Sequence, residues 1–267
     1  QQWSRVLMKI WAIANQKGGV GKTTSTLALG RALCLRGKRV LLIDLDPHAS
    51  LTRAFGVDEF PPPHGVMELF AERPRTLAEV ARDCALPGLQ FVCAQPALAT
   101  LERRSATAPG LGLLLQKALG ECQDAYDYVL LDCAPQLGLL MVNALAAADR
   151  VVIPTQTEPL ALHGLEGMVR TAQMVETSRK RSLPLSILPT LHDRRTRAGI
   201  ETLQTLHKRH GALVWEDAIP LDTKLSSTSL LTQPANSDAY PGRGLSCYRR
   251  ALDWMLASEF QNSGALP

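Results

Sequence analysis

Ten consecutive residues constrain this chain more than any other stretch: Asn15-Gln-Lys-Gly-Gly-Val-Gly-Lys-Thr-Thr24, placed between an apolar run and a helical pattern. Glycines this closely spaced let backbone N–H groups turn inward around phosphate oxygens, and a helix that starts directly after them adds its own unpaired N–H groups. Gly18, Gly19, Val20, Gly21, Lys22, Thr23 and Thr24 therefore read as a phosphate-binding loop. Lys22 supplies a point charge for the outer phosphates, and Thr23 offers its hydroxyl to Mg²⁺. The expected ligand is a nucleoside triphosphate with Mg²⁺. A dinucleotide-binding loop fits less well, because Lys-Thr-Thr stands where a third glycine and small packing residues are needed.

Around the loop, apolar segments recur at residues 10–14, 40–44, 89–93, 128–132, 150–154 and 185–189, mostly separated by helical patterns. Short runs apolar throughout are the mark of strands buried on both faces. Their alternation with helices predicts an α/β fold, a doubly wound, mostly parallel sheet flanked by helices. One helix is expected over about residues 23–35, ending at Gly37. A second, over about 160–178, places Leu162, Leu165, Val169, Ala172 and Val175 on one face. Near the C-terminus Leu245, Tyr248, Leu252 and Met255 form a stripe read as core packing rather than a membrane anchor. Phe60 to Pro63 and residues 232–244 read as exposed connections.

At 267 residues and 46% apolar, the chain suits one large domain. Residues 8–257 are assigned to it, with 1–7 and 258–267 as terminal extensions. No run reaches the length of a membrane span, and the N-terminus lacks the order of a secretion signal, which gives a cytoplasmic expectation. The six cysteines have no C-x-x-C pair or metal-ligand spacing and read as reduced, mostly buried thiols. The net charge of +4 is concentrated in the second half, at residues 179–181, 194–197, 208–209 and 249–250. Such clusters are often solvated faces, but their concentration suits a polyanion.

Three aspartates sit at strand ends, where open parallel sheets place ligands. Asp44 and Asp46 end Leu-Leu-Ile-Asp-Leu-Asp-Pro-His, and alternation points both the same way; Asp132 follows Tyr-Val-Leu-Leu. Carboxylates hold Mg²⁺ well by accepting hydrogen bonds from its waters, and a buried carboxylate with no cation or donor is costly. Asp-x-Asp by itself is equally compatible with an incidental acidic turn.

The loop also departs from the common phosphate-loop pattern. Gln16 occupies the position of its first glycine, and Lys17 follows directly. With this extra lysine, the Asp44/Asp46 segment and Asp132 in order, the chain resembles the ParA/MinD family of deviant Walker A P-loop ATPases. The resemblance implies Mg²⁺-dependent hydrolysis of ATP to ADP in a homodimer that closes around two nucleotides, with Lys17 reaching the phosphates of the other subunit. It gives Lys17, Lys22 and Asp46 catalytic roles, Asp46 orienting the attacking water. Thr23, Asp44 and Asp132 become the Mg²⁺ set. Pro135, the helix from about Gly138 and Asn143 correspond to switch II. His48 departs from the family's usual glutamine.

Partition members of that family bind double-stranded DNA without sequence preference, which implies a nucleoid-associated ATP form. Arg195 and Arg197, in Leu191-His-Asp-Arg-Arg-Thr-Arg, match a family basic stretch, as does Lys224 in Ile219-Pro-Leu-Asp-Thr-Lys-Leu. Pro220 and Asp222 fall at the nucleotide-binding position, where Leu221 and Asp222 replace the family's Arg-Asn. A ParB-like or other adaptor that stimulates hydrolysis is implied, with a partition complex or a chemotaxis array as cargo. The alternatives are a MinD-like membrane-cycling ATPase, whose basic C-terminal helix is lacking here, and a metal-cluster assembly or reductase ATPase, for which Cys133 has no nearby second cysteine.

Overall fold

The short apolar runs become the strands of a single seven-stranded sheet. A computed structural model describes residues 7–57, 59–104, 110–226, 232–233 and 242–262. The strands are β1 (Lys9–Ile13), β2 (Val40–Leu45), β3 (Arg82–Asp83), β4 (Leu89–Val92), β5 (Tyr128–Cys133), β6 (Arg150–Gln156) and β7 (Leu185–Thr190). The helices are α1 (Lys22–Cys34), α2 (Ser50–Ala54), α3 (Leu77–Val80), α4 (Leu98–Arg104), α5 (Leu114–Gly120), α6 (Leu139–Ala147), α7 (Ala161–Arg179), α8 (Arg197–His210), α9 (Thr223–Ser226) and α10 (Arg243–Asn262). Sheet order is β3-β4-β2-β5-β1-β6-β7. All neighbours pair in parallel except β3 and β4.

All six expected strands are present; β3 is the addition. It is two charged residues paired antiparallel at one edge, too short and too polar to leave an apolar run. The central strands are buried on both faces, and alternation divides their side chains between two cores. Ala12, Leu41, Ile43, Val129 and Leu131 pack with Leu145 of α6 and with Leu165 and Met168 of α7. Trp11, Ile13, Leu42 and Leu130 pack with Leu29 and Leu33 of α1 and with Leu252 and Met255 of α10. Each fully buried leucine contributes about 2 kcal/mol.

The C-terminal stripe is core, as its spacing suggests: Tyr248, Leu252 and Met255 are buried. Residues 258 and 259 belong to this same helix, whose Ser258 and Glu259 side chains reach the buried Arg150. The α7 face is as expected, with Met168 buried beside Leu165 and Val169. In the proline run, Pro62 is buried and its carbonyl accepts from Gln95 Nε2, so the connection is only partly exposed. Within the second loose connection, residues 234–241 lie outside the described set. All six thiols are free; Cys93, Cys133 and Cys247 are buried and the other three half-buried. No helix among the described residues is long and apolar enough to cross a membrane.

Candidate functional site

The carboxyl ends of β1, β2, β5 and β7 open into a cavity of about 730 Å³. Its floor is the glycine loop between β1 and α1. Gly19 and Gly21 have φ of 72° and 88°, a left-handed backbone that side chains disfavour, so these two positions require glycine. Gly21 also caps α1 without a side-chain bond, and the first turn of α1 carries no acidic residue, which leaves its N–H groups available to an anion. Gly18, Lys22, Thr23 and Thr24 line the cavity. Val20 instead buries its side chain, while Thr190 Oγ1 donates to its carbonyl at 2.8 Å and fixes the loop's far limb.

The loop's near limb is held by β6 and α7. Asn15 Nδ2 donates to Pro154 O at 2.8 Å, and its Oδ1 accepts from the Lys17 N–H. Gln16 Nε2 reaches Thr171 Oγ1 at 2.9 Å, and a Cβ at Gly164 would lie 3.4 Å from Lys17 Cβ. The two lysines then part. Lys22 Nζ folds under the loop to Lys17 O at 2.8 Å, and burial lowers its pKa against the raising effect of Asp132. Lys17 Nζ turns outward to Glu158 Oε2 at 2.8 Å, on the rim of the molecule.

Register places Asp44 opposite Asp132 on adjacent strands. Both are buried, and burial pushes both carboxyl pKa values up, with their mutual repulsion adding to the rise at Asp132. Asp132 Oδ2 accepts from Thr23 Oγ1 at 2.7 Å, so the hydroxyl and carboxylate expected to serve Mg²⁺ already meet. These residues fit a hard cation that phosphates complete: among the described residues no group of three or more His, Cys, Asp or Glu could hold a metal unaided. Burial also raises the Cys133 thiol pKa, which does not suit an exposed cluster ligand.

Asp44 and Asp46 meet different surroundings. β2 ends at Leu45, so strand alternation stops before Asp46. Asp44 Oδ2 accepts from the Thr52 N–H and hydroxyl, and its Oδ1 from the Asp46 N–H. Its carboxylate therefore braces the turn instead of lining the cavity. Asp46 does line it, with Oδ1 accepting from the His48 N–H at 2.9 Å and lying 3.0 Å from His48 Nδ1.

The opposite wall comes from the segment after β7 and the approach to α9. Pro220, Leu221 and Asp222 line it, beside Leu191 and Tyr248. Asp222 has both oxygens engaged, Oδ1 with the Lys224 N–H and Oδ2 with the Gly244 N–H. Its side chain shapes the wall. Exchanged bonds between His192 and the 219–221 strip bring the two basic motifs to one side of the molecule. Arg195 chelates Asp193 at 2.8 and 2.9 Å, and Arg197 pairs with Glu201 at 2.6 Å; both side chains are at least 85% exposed. They flank Thr196, which caps α8 by accepting from the Gly199 N–H. Lys224 is exposed in α9.

Sequence reading missed Glu158, an unremarkable acid until the fold sets it beside Lys17. It also missed the second face of Tyr248, whose hydroxyl lies 2.9 Å from Ser25 Oγ at the cavity wall. Asn143 is buried and ties Leu139 O, Leu111 O and the Leu115 N–H together, a packing duty.

A family model described as an AAA domain matches residues 8–185. The chain is 36% identical to the sporulation initiation inhibitor protein Soj of Bacillus subtilis, over 82% of this chain and 86% of that one. It is 33% identical to the chromosome-partitioning ATPase Soj of Treponema pallidum, over 95% and 99%. Among solved structures it is similar to cobyrinic acid a,c-diamide synthase of Mycobacterium smegmatis with bound ADP and magnesium, with TM-score 0.82 and 31% identity over 97% and 98% of the two chains.

Proposed function

The chain belongs to the ParA/MinD family of P-loop ATPases, and from that premise we propose that it is a partition-type ATPase whose ATP form is a sandwich dimer that binds DNA and positions a cargo. ATP enters the cavity with its phosphates on the loop and on the α1 N-terminus. Lys22 follows the outer phosphates, leaving Lys17 O. Thr23 and Asp132, which already meet at 2.7 Å, would hold Mg²⁺, and the ion would supply positive charge to the phosphate oxygens. Asp44 acts at one remove by bracing the turn that carries Asp46. Asp46 orients the attacking water, and hydrolysis gives ADP and phosphate.

The observation that carries the dimer is the outward course of Lys17. Its ammonium leaves its own loop and rests on an exposed acid at the rim. A cation there is placed to serve phosphates presented by a facing copy, and in the water-excluded joint its charge is worth far more than on an open surface.

DNA binding follows from the basic side around the α8 N-terminus. Arg195, Arg197 and Lys224 each meet phosphate at little cost, since both arginine side chains are exposed and their ion pairs with Asp193 and Glu201 lie at the surface. Dimerisation doubles the contacts and steepens the salt dependence. A ParB-like or other adaptor then stimulates hydrolysis and releases the dimer from the nucleoid; the cargo is a partition complex or a chemotaxis array. Electrophoretic mobility of a duplex at several salt concentrations tests this. ATP, and not ADP, retards the duplex, and Arg195→Ala with Lys224→Ala weakens retention and flattens the salt slope while ATPase persists. Equal retardation with ADP, or an unchanged slope, contradicts it.

A further inference from the structure

Helix α6 begins without a cap of its own. Its N-cap residue is Gly138, which has no side chain to accept a bond from the first turn. A helix start in this position leaves backbone donors unsatisfied, and a carboxylate there gains from the helix dipole as well. The missing acceptor comes from another element. Glu102, on α4, accepts from the Leu140 N–H through Oε1 at 3.0 Å. Its other oxygen lies over the glycine: a Cβ at Gly138 would stand 1.9 Å from Glu102 Oε2 and 2.7 Å from Cδ. Gly138 has φ −140° and ψ −163°, an extended backbone open to any residue. Glycine is needed there for space, so that the carboxylate can come in.

The location gives this cap its consequence. The stretch from Asp132 to Gly138 is short, and it carries both Asp132 and Pro135, which lines the nucleotide cavity. Its far end runs directly into the first turn of α6. Further along, Asn143 binds α6 to residues 111–115, so the helix is held to the α4–α5 layer at two polar points.

We propose that Glu102 is a positioning residue for hydrolysis: it caps α6 from α4, in the space that Gly138 leaves, and so sets where the Asp132–Gly138 stretch lies against the phosphates. The proposal rests on the ATPase reading above. Since the atom displaced by a new Cβ is the end of a flexible side chain, Gly138→Ala removes the cap without breaking the backbone path. It should imitate Glu102→Ala.

The test is a double-mutant cycle read by steady-state ATPase kinetics. Glu102→Ala and Gly138→Ala are each expected to lower kcat about fivefold, the loss of one helix cap, with KM for ATP within about twofold of the parent. Glu102→Gln keeps an acceptor for the Leu140 N–H and is expected to restore most of kcat, which a role in bulk packing or net charge would not distinguish in this way. The double variant Glu102→Ala with Gly138→Ala should be no worse than either single one, because the two changes remove the same contact. Multiplying losses, an unchanged kcat in Glu102→Ala, or an effect confined to KM overturns the proposal. Amide exchange at Leu140 is read in parallel and does not depend on hydrolysis. It should quicken in both single variants and not in Glu102→Gln; unchanged exchange rejects the cap, whereas quickened exchange in a protein that hydrolyses no ATP rejects the ATPase reading alone.

Discussion

Lys17 Nζ and Glu158 Oε2 lie 2.8 Å apart within one subunit, joining the phosphate loop to the entry of α7. The pair is solvent-exposed, so it is worth less than about 1 kcal/mol. Lys17 must leave it to reach a facing copy. Glu158→Gln should therefore lower the ATP concentration at which half the protein dimerises by about threefold, measured by light scattering across an ATP titration. A raised midpoint would mean that Glu158 helps to hold the dimer.

Asp46 offers the cavity a carboxylate braced from behind by His48 and by the turn that Asp44 holds. Asp46→Ala is expected to slow hydrolysis about a hundredfold while leaving ATP binding intact, so that single-turnover chemistry falls and nucleotide retention does not. Hydrolysis at the parental rate would remove Asp46 from the mechanism.

The starts of three strands meet at Asp127. Its carboxylate accepts from Arg39 Nη2 at 2.8 Å and from the Arg39 N–H, and its backbone bonds to Arg39 and Lys9. The Arg39 hydrogen bonds hold its pKa below the usual carboxylate range. A folded pKa under the unfolded value of about 3.9 means stability that is present above about pH 4 and is lost as pH falls through the lowered value. Solvent screening keeps the gain near 0.5 kcal/mol. In urea melts, Asp127→Asn should be less stable than the parent near neutral pH, with the gap closing in acid. A gap that persists in acid contradicts the assignment.

Glu259, on α10, accepts from Trp11 Nε1 at 2.9 Å and stands 3.9 Å from Nε of the buried Arg150. Glu259→Ala leaves a buried donor and a buried cation poorly matched, at a cost of about 3 kcal/mol. Thermal unfolding should shift down by several degrees with the nucleotide affinity of the residual folded protein unchanged. An unaltered midpoint would show that Ser186, Ser258 and the Met255 carbonyl suffice for Arg150.

How far the sequence could be read depended on whether a contact was local. The glycine loop was legible because Gly19, Gly21, Lys22 and Thr23 act within one turn of chain, and the central strands because burial on both faces leaves an unbroken apolar run. The bonds from Thr52 that hold the Asp44 carboxylate were not legible, because they depend on where α2 packs beside β2. Contacts across the fold left no mark: Glu158 beside Lys17, Glu102 over Gly138, and Glu259 with Arg150 join residues far apart in sequence. Strand β3 escaped because two charged edge residues carry no apolar signal.

In the proposed cycle two copies close around ATP, each lending Lys17 to the other. Size-exclusion chromatography with light scattering, run on Asp46→Ala with Mg²⁺ and ATP, then with ADP, and again in a Lys17→Ala background, tests it most directly. A sandwich dimer gives twice the monomer mass with ATP, monomer mass with ADP, and monomer mass in both nucleotides once Lys17 is replaced. Monomer mass for Asp46→Ala under saturating ATP, or a dimer that survives loss of Lys17, would contradict it.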